Sequence, residues 1–195
     1  MKSPTGAGGA PPFSPTTYSK CCQREFGTAS GNIPGTNKSI PSYLASVYVV
    51  TAASATGESA TVIGATLLAE SNGNVNTGAN GVNSGELNNG NYSGPNNTGT
   101  LLSVDVGPMQ LNTTWWSGSP LVSPQAWGTN LMPGQPFNGN PYMNVLAGAN
   151  ILVSLGNNPQ NYVGTGNGGA DAAARLKFLN MMDPKLQPFF DCLTK

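Results

Sequence analysis

The chain has 195 residues, enough for one domain with a real core and too few to expect two. Charged residues make up only 8%, eight basic against eight acidic, so no long-range field favours nucleic acid or an anionic membrane surface. Solubility must come from neutral polar groups, and with Gly at 26 and Pro at 16 the composition suits a secreted or periplasmic protein better than a cytoplasmic enzyme.

Residues 1 to about 17 are rich in Pro, Gly and Ser and have little to bury, so a mobile start is expected. Met1-Lys2-Ser3-Pro4 leads into Gly and Pro rather than the apolar core of a signal peptide, which suggests a mature fragment with a new start or another exit route. Tyr18 to Phe26 carries aromatic and Cys anchors and is expected to dock; Gly27 to Lys38 reads as loop, with a turn at Asn32 to Gly35. The expected division is an N-terminal extension over 1–38, partly disordered, and one folded domain over 39–195.

Helical spacing of Leu44, Val47, Tyr48 and Ala52 after Ser39-Ile40-Pro41 predicts a first helix, although Val49 and Val50 would also suit a strand. A second runs from about Glu58 to Glu70, with Val62, Ile63, Leu67 and Ala69 on its apolar stripe. Residues 71 to 100 hold most of the Asn and Gly and read either as a disordered loop or as an irregular β-hairpin lobe with turns such as Asn80-Gly81 and Asn89-Gly90. The lobe is favoured because Leu101 to Val106 reads as a strand that needs a partner. From Gly107 to Trp115 the pattern turns helical, with Pro108 in the first turn. A Pro/Gly-rich connector over 117–141 follows, anchored by Trp127 and Phe137. Tyr142 to Leu155 is the clearest helix, capped by Gly156; Ala170 to Met181 and Pro184 to Leu193 are read as two further helices. No run of apolar residues is long enough to span a bilayer.

Three cysteines, Cys21, Cys22 and Cys192, lie at opposite ends. A bridge from Cys21 or Cys22 to Cys192 would contribute about 4 to 5 kcal/mol by restricting the unfolded chain. Three reduced thiols are the alternative, and a vicinal Cys21-Cys22 bridge a strained third one. The chain has no His and no Cys-x-x-Cys pair, so neither zinc nor any cofactor is expected.

Two carboxylates stand out. Glu70 follows Leu67-Leu68-Ala69 at the end of an apolar helix, where desolvation raises a carboxyl pKa and suits a general acid. A solvent-facing Glu there would sit unfavourably at the negative end of the helix dipole. Asp105 lies beside a Gly and upstream of Trp115 and Trp116; it is either a second, ionised catalytic carboxylate or the cap of the helix after Gly107. Glu86, inside the Asn/Gly loop, is more simply read as solvated.

Glu70-Ser71 followed by Gly107-Pro108-Met109-Gln110 resembles the Glu-Ser and Gly-Leu-Met-Gln signatures of the soluble lytic transglycosylases and goose-type lysozymes. Asp105-Val106-Gly107-x-x-Gln110-Leu111-Asn112-x-x-Trp115-Trp116 also resembles the active-site strand of chicken-type lysozymes, and Tyr162-Val163-Gly164-Thr165-Gly166 is similar to the Tyr-Asn-Gly motif of the transglycosylases. The likeness covers roughly residues 57 to 180. It departs in the 35 positions between Glu70 and Asp105 (105 − 70), in the missing chicken-type disulfide framework, in Pro108 for Leu and in Val163 for Asn.

The resemblance implies an α+β, mainly helical lysozyme-like fold, with a small irregular β lobe beside a deep cleft that holds Glu70 at its floor. It implies cleavage of the β-1,4 bond between N-acetylmuramic acid and N-acetylglucosamine in peptidoglycan glycan strands, with Glu70 as general acid. Whether water or the sugar's own 6-hydroxyl completes the reaction decides lysozyme against lytic transglycosylase. Gln110 is expected either to bind a substrate acetamido group or to serve as a buried structural amide. Tyr162 would hydrogen-bond near Glu70 or the sugar, or else pack in the core. Of Trp115 and Trp116 at most one should line the cleft, because neighbours on a helix diverge. Ser71, Met109 and Asn112 are carried over as substrate contacts by resemblance alone. A monomer without nucleic-acid or membrane partners is expected, and the rival functions are a catalytically silent glycan-binding or structural module and a chitin hydrolase.

Overall fold

The computed structural model describes residues 10–75, 89–157, 162 and 168–195. Among them are six helices, α1 (Pro15–Phe26), α2 (Tyr43–Thr56), α3 (Ala60–Ser71), α4 (Pro124–Trp127), α5 (Pro141–Ser154) and α6 (Gly168–Leu193). Three strands, β1 (Asn89–Gly94), β2 (Thr98–Val106) and β3 (Leu111–Asn112), form one antiparallel sheet in the order β1-β2-β3. The chain is therefore α+β and mainly helical.

Local chemistry sets most helix ends. Ser14 accepts the Thr17 N–H at 3.1 Å with Pro15 in the first turn, so the stretch expected to be mobile is already helical from Pro15. Ser42 caps α2 through the Ala45 N–H at 3.1 Å, and Asn140 caps α5 through the Met143 N–H at 3.2 Å. Asn72, in the left-handed conformation at φ 55°, ends α3.

α2, α3 and α5 are apolar on most of their circumference and form the centre of the core, with α6 laid across α3. Gly64 on α3 lets the Phe190 ring of α6 approach so closely that a Cβ there would meet it at 2.6 Å. Phe13, Cys22, Phe26 and Ile33, which precede the expected domain start at residue 39, are buried in this same core. Cys21 on α1 is bonded to Cys192 on α6, across 171 positions, while Cys22 remains a buried thiol.

Three expectations are corrected. Residues 107–116 do not form a helix: Gly107 at φ 74° and Gln110 at φ 48° break it, and Leu111 returns to pair with Val106 as β3. Asn89-Gly90 is not a turn but the start of β1, whose link to β2 is a 3-10 turn at Pro95–Asn97; Asn80-Gly81 lies outside the described residues. The two expected C-terminal helices are one, α6, which runs through Pro184 and Pro188. An interior proline costs about 3 kcal/mol. Leu179, Met182, Leu186, Phe189, Phe190 and Leu193 keep one buried stripe across both prolines, and that burial outweighs the cost.

The sheet buries one face on the connector: Val104, Val106 and Phe137 form a small second core with Trp127 against it. Among the described residues no helix is long and apolar enough to cross a membrane.

Candidate active site

Glu70 lies in the last turn of α3, half-buried, directly after the fully buried Leu67 and Leu68. The helix end beneath it is fixed. Ser71 donates its hydroxyl to the Leu67 carbonyl at 3.2 Å, and Asn72 exchanges two hydrogen bonds at 3.3 Å with the backbone N–H and hydroxyl of Ser39. Ser71 is itself buried, so its hydroxyl belongs to the helix backbone rather than to an open surface.

Asp105 lies on the middle strand, opposite Asn89 on β1 and Asn112 on β3. Its Oδ2 accepts the Asn91 Nδ2–H at 3.0 Å and its Oδ1 the Asn112 Nδ2–H at 2.8 Å; both amides also donate to the Ser103 hydroxyl, at 3.1 and 2.8 Å. From Leu87 to Ala170 Asp105 is the one charged residue of the sequence, so neutral amides solvate it in place of a cation. Its alternative role as a helix cap fails with the helix that does not form. The Asn112 carbonyl oxygen of the side chain accepts the N–H groups of Thr114 and Trp115 at 3.0 and 3.1 Å, so this side chain holds the turn after β3 together. Trp115 is half-exposed at 50% while Trp116 packs against the core, which leaves one indole face open.

Between β2 and β3 the turn over 107–110 closes through the Gln110 N–H to the Gly107 carbonyl at 2.9 Å. The Gln110 side chain donates to that carbonyl at 2.8 Å and accepts from the Asn89 amide, bridging the turn to β1. Met109 is fully buried with its side chain over Gly148 of α5, so the structure places it in the core rather than on an open surface. Its backbone is held from both sides. The N–H donates to Asn144 Oδ1 at 2.8 Å, and the carbonyl accepts the Tyr162 hydroxyl at 2.9 Å.

Asn144 is the residue that sequence reasoning missed. It is fully buried on α5, and its Nδ2 donates to the carbonyls of Val106 and Ala126, both at 3.0 Å. A signal was available: an amide inside the apolar stripe of the clearest helix, one residue before Val145, must find buried partners. Glu86 and Val163 to Gly166 lie outside the described residues.

Among the described residues no group of three or more His, Cys, Asp or Glu could hold a metal. Burial raises the pKa of Tyr18, Cys22, Tyr48 and Tyr142, all groups of the core. Compared with known proteins, the chain matches no family model, and neither a curated protein nor a solved structure matches it.

Proposed function

We propose that the chain is a peptidoglycan-cleaving glycosidase of the lysozyme type, acting on the β-1,4 bond between N-acetylmuramic acid and N-acetylglucosamine. The observation that carries this reading is the contrast between its two carboxylates. Glu70 ends an apolar helix, half-buried directly after the fully buried Leu67 and Leu68, whereas Asp105 sits on the sheet between the amide donors of Asn91 and Asn112, and two carboxylates in unlike surroundings suit the unlike roles of this chemistry. Glu70 protonates the bridging oxygen, and Asp105 stabilises or captures the positive anomeric carbon. Trp115 offers a ring face to a sugar. The meeting of Tyr162 with the turn over 107–110 adds support, because the resemblance ties those two motifs to one site. A secreted or periplasmic location suits both this substrate and the Cys21–Cys192 bridge.

A second reading rests on the same hydrogen bonds. If Asp105 only clamps three strands together, Glu70 acts alone and the muramic acid's 6-hydroxyl closes on the anomeric carbon, as in a lytic transglycosylase.

Digestion of purified peptidoglycan by the wild type and by Glu70→Gln, with sugar ends identified by mass spectrometry, tests both. Reducing ends, reduced by about 10² to 10⁴-fold in Glu70→Gln, support a lysozyme. Ends carrying 1,6-anhydro-muramic acid support the transglycosylase and leave Asp105 a structural role. No cleavage by the wild type sinks the peptidoglycan reading; binding without cleavage then favours a glycan-binding module, and cleavage of chitin oligomers a chitin hydrolase.

A further inference from the structure

Asn144 is a single side chain that holds three separate segments. One donor hydrogen reaches the Val106 carbonyl at 3.0 Å, at the end of the strand that carries Asp105. The other reaches the Ala126 carbonyl in α4, also at 3.0 Å, and the amide oxygen accepts the Met109 N–H at 2.8 Å. Every one of these partners is backbone. Because the site is fully buried, none of the three can readily exchange Asn144 for solvent.

The surroundings leave no slack. Gly107, at φ 74°, brings its backbone so near that a Cβ would meet Asn144 Nδ2 at 2.6 Å and Phe137 at 2.8 Å. One turn further along α5, Gly148 seats the Met109 side chain, whose Cε would lie 2.6 Å from a Cβ there. Tyr162 then fixes the Met109 carbonyl, and Gln110, held at φ 48°, passes the constraint to Asn89 of β1. One path from the helical core to both outer strands of the sheet thus runs through the turn that Asn144 holds.

We propose that Asn144 is a positioning residue, the joint that sets the Asp105 strand against the helical body carrying Glu70. This rests on the glycosidase reading for its consequence in catalysis, but the joint itself has a readout of its own. Ser is too short to span three backbone partners, so Asn144→Ser frees the turn. Asp keeps the acceptor for the Met109 N–H and loses both donors, so Asn144→Asp separates the two halves of the joint.

The experiment measures kcat, KM and the pH profile of kcat on peptidoglycan together with residue-resolved hydrogen exchange, for the wild type, Asn144→Ser, Asn144→Asp and Tyr162→Phe. In Asn144→Ser, kcat is expected to fall about 100-fold with KM within about threefold, since misplacing reacting groups by about 1 Å costs that much. Its pH profile should change together with kcat, because the reacting groups no longer meet in the wild-type geometry. Exchange at Met109 N–H should rise while α3 and α5 stay protected, and Asn144→Asp should retain more of the Met109 protection than Asn144→Ser. The losses from Asn144→Ser and Tyr162→Phe should be less than additive, because both act on one peptide segment.

Unchanged kcat and pH profile in a folded Asn144→Ser overturn the proposal, as does unchanged exchange at Met109. If Asn144→Ser fails to fold, Asn144→Asp and Tyr162→Phe decide by the same criteria. If the wild type cleaves nothing, the glycosidase reading fails by itself, and the exchange pattern alone upholds or overturns the joint.

Discussion

The hydroxyl of Tyr162 donates to the carbonyl of Met109 at 2.9 Å, joining two segments 53 positions apart. A carbonyl in a fully buried residue has few other partners, so Tyr162→Phe removes a bond that nothing replaces. The expected cost is about 1 to 3 kcal/mol in urea unfolding, that of a buried acceptor left unsatisfied. Activity should fall far less than in Glu70→Gln, because the phenol acts through the turn and not on the reacting atoms. A loss of activity equal to that of Glu70→Gln would assign Tyr162 a direct part in the chemistry.

Asp105→Asn keeps the shape of the carboxylate but removes its charge and turns one acceptor into a donor. One of the two amides, Asn91 or Asn112, then faces another N–H group. The fold should lose about 1 to 3 kcal/mol, the cost of an unsatisfied partner at a half-buried position. In the lysozyme mechanism, release of reducing ends should also fall by at least about 100-fold, measured at a temperature where the variant is folded. Activity at the wild-type level with lowered stability would leave Asp105 as a clamp between strands.

Cys21 and Cys192 close a loop of 171 positions. Replacing either with Ala should lower the free energy of unfolding by about 4 to 5 kcal/mol, the entropy that the unfolded chain regains when so long a loop is opened. Cys22 should not substitute for Cys21, because neighbouring residues on α1 point about 100° apart and Cys22 is buried elsewhere in the core. Thiol counting under native and denaturing conditions checks the pairing: no reactive thiol when folded, one when unfolded without reductant.

Alkaline pH should destabilise the chain. Burial holds the thiol of Cys22 and the phenols of Tyr48 and Tyr142 protonated above their ordinary values of 9.0 and 10.0, and does the same for Tyr18. The unfolded chain therefore loses these protons first. Their contribution is whole below about pH 9, declines from there as an unfolded thiol would ionise, and declines further above about pH 10 as unfolded phenols would. Urea midpoints at about pH 8 and about pH 10.5 measure the fall, and Cys22→Ala should flatten its lower part. A midpoint that rises over this range contradicts the assignment.

Three of the six helices described, α2, α3 and α5, were legible as they stand, whereas α1 and α4 went unread and α6 was split in two. Each of those three is a run of 12 to 14 residues, apolar on most of its circumference, which is too long for a typical strand and is marked by residue type alone. The misses at α1 and α4 passed over local signals, a serine cap with a proline after it in each, while two other errors fall where distant contacts override local preference. Gly107-Pro108-Met109-Gln110 has helical spacing, yet Asn144 captures the Met109 N–H and Leu111 pairs with Val106, so the segment becomes a turn and a strand. Pro184 and Pro188 argue for a break, yet the buried stripe from Leu179 to Leu193 carries α6 through both.

For this protein the sequence by itself determined an apolar helix ending at Glu70 and a strand carrying Asp105 in a stretch without other charge. These follow from residue type and spacing along a few turns of chain. Only the tertiary structure decided that Cys21 and not Cys22 meets Cys192, that Asn91 and Asn112 hold Asp105, and that Asn144 joins sheet to helices. None of those contacts lies within a single helix or strand, and which donor meets which acceptor is fixed by how strands pair and buried faces pack, not by residue type alone.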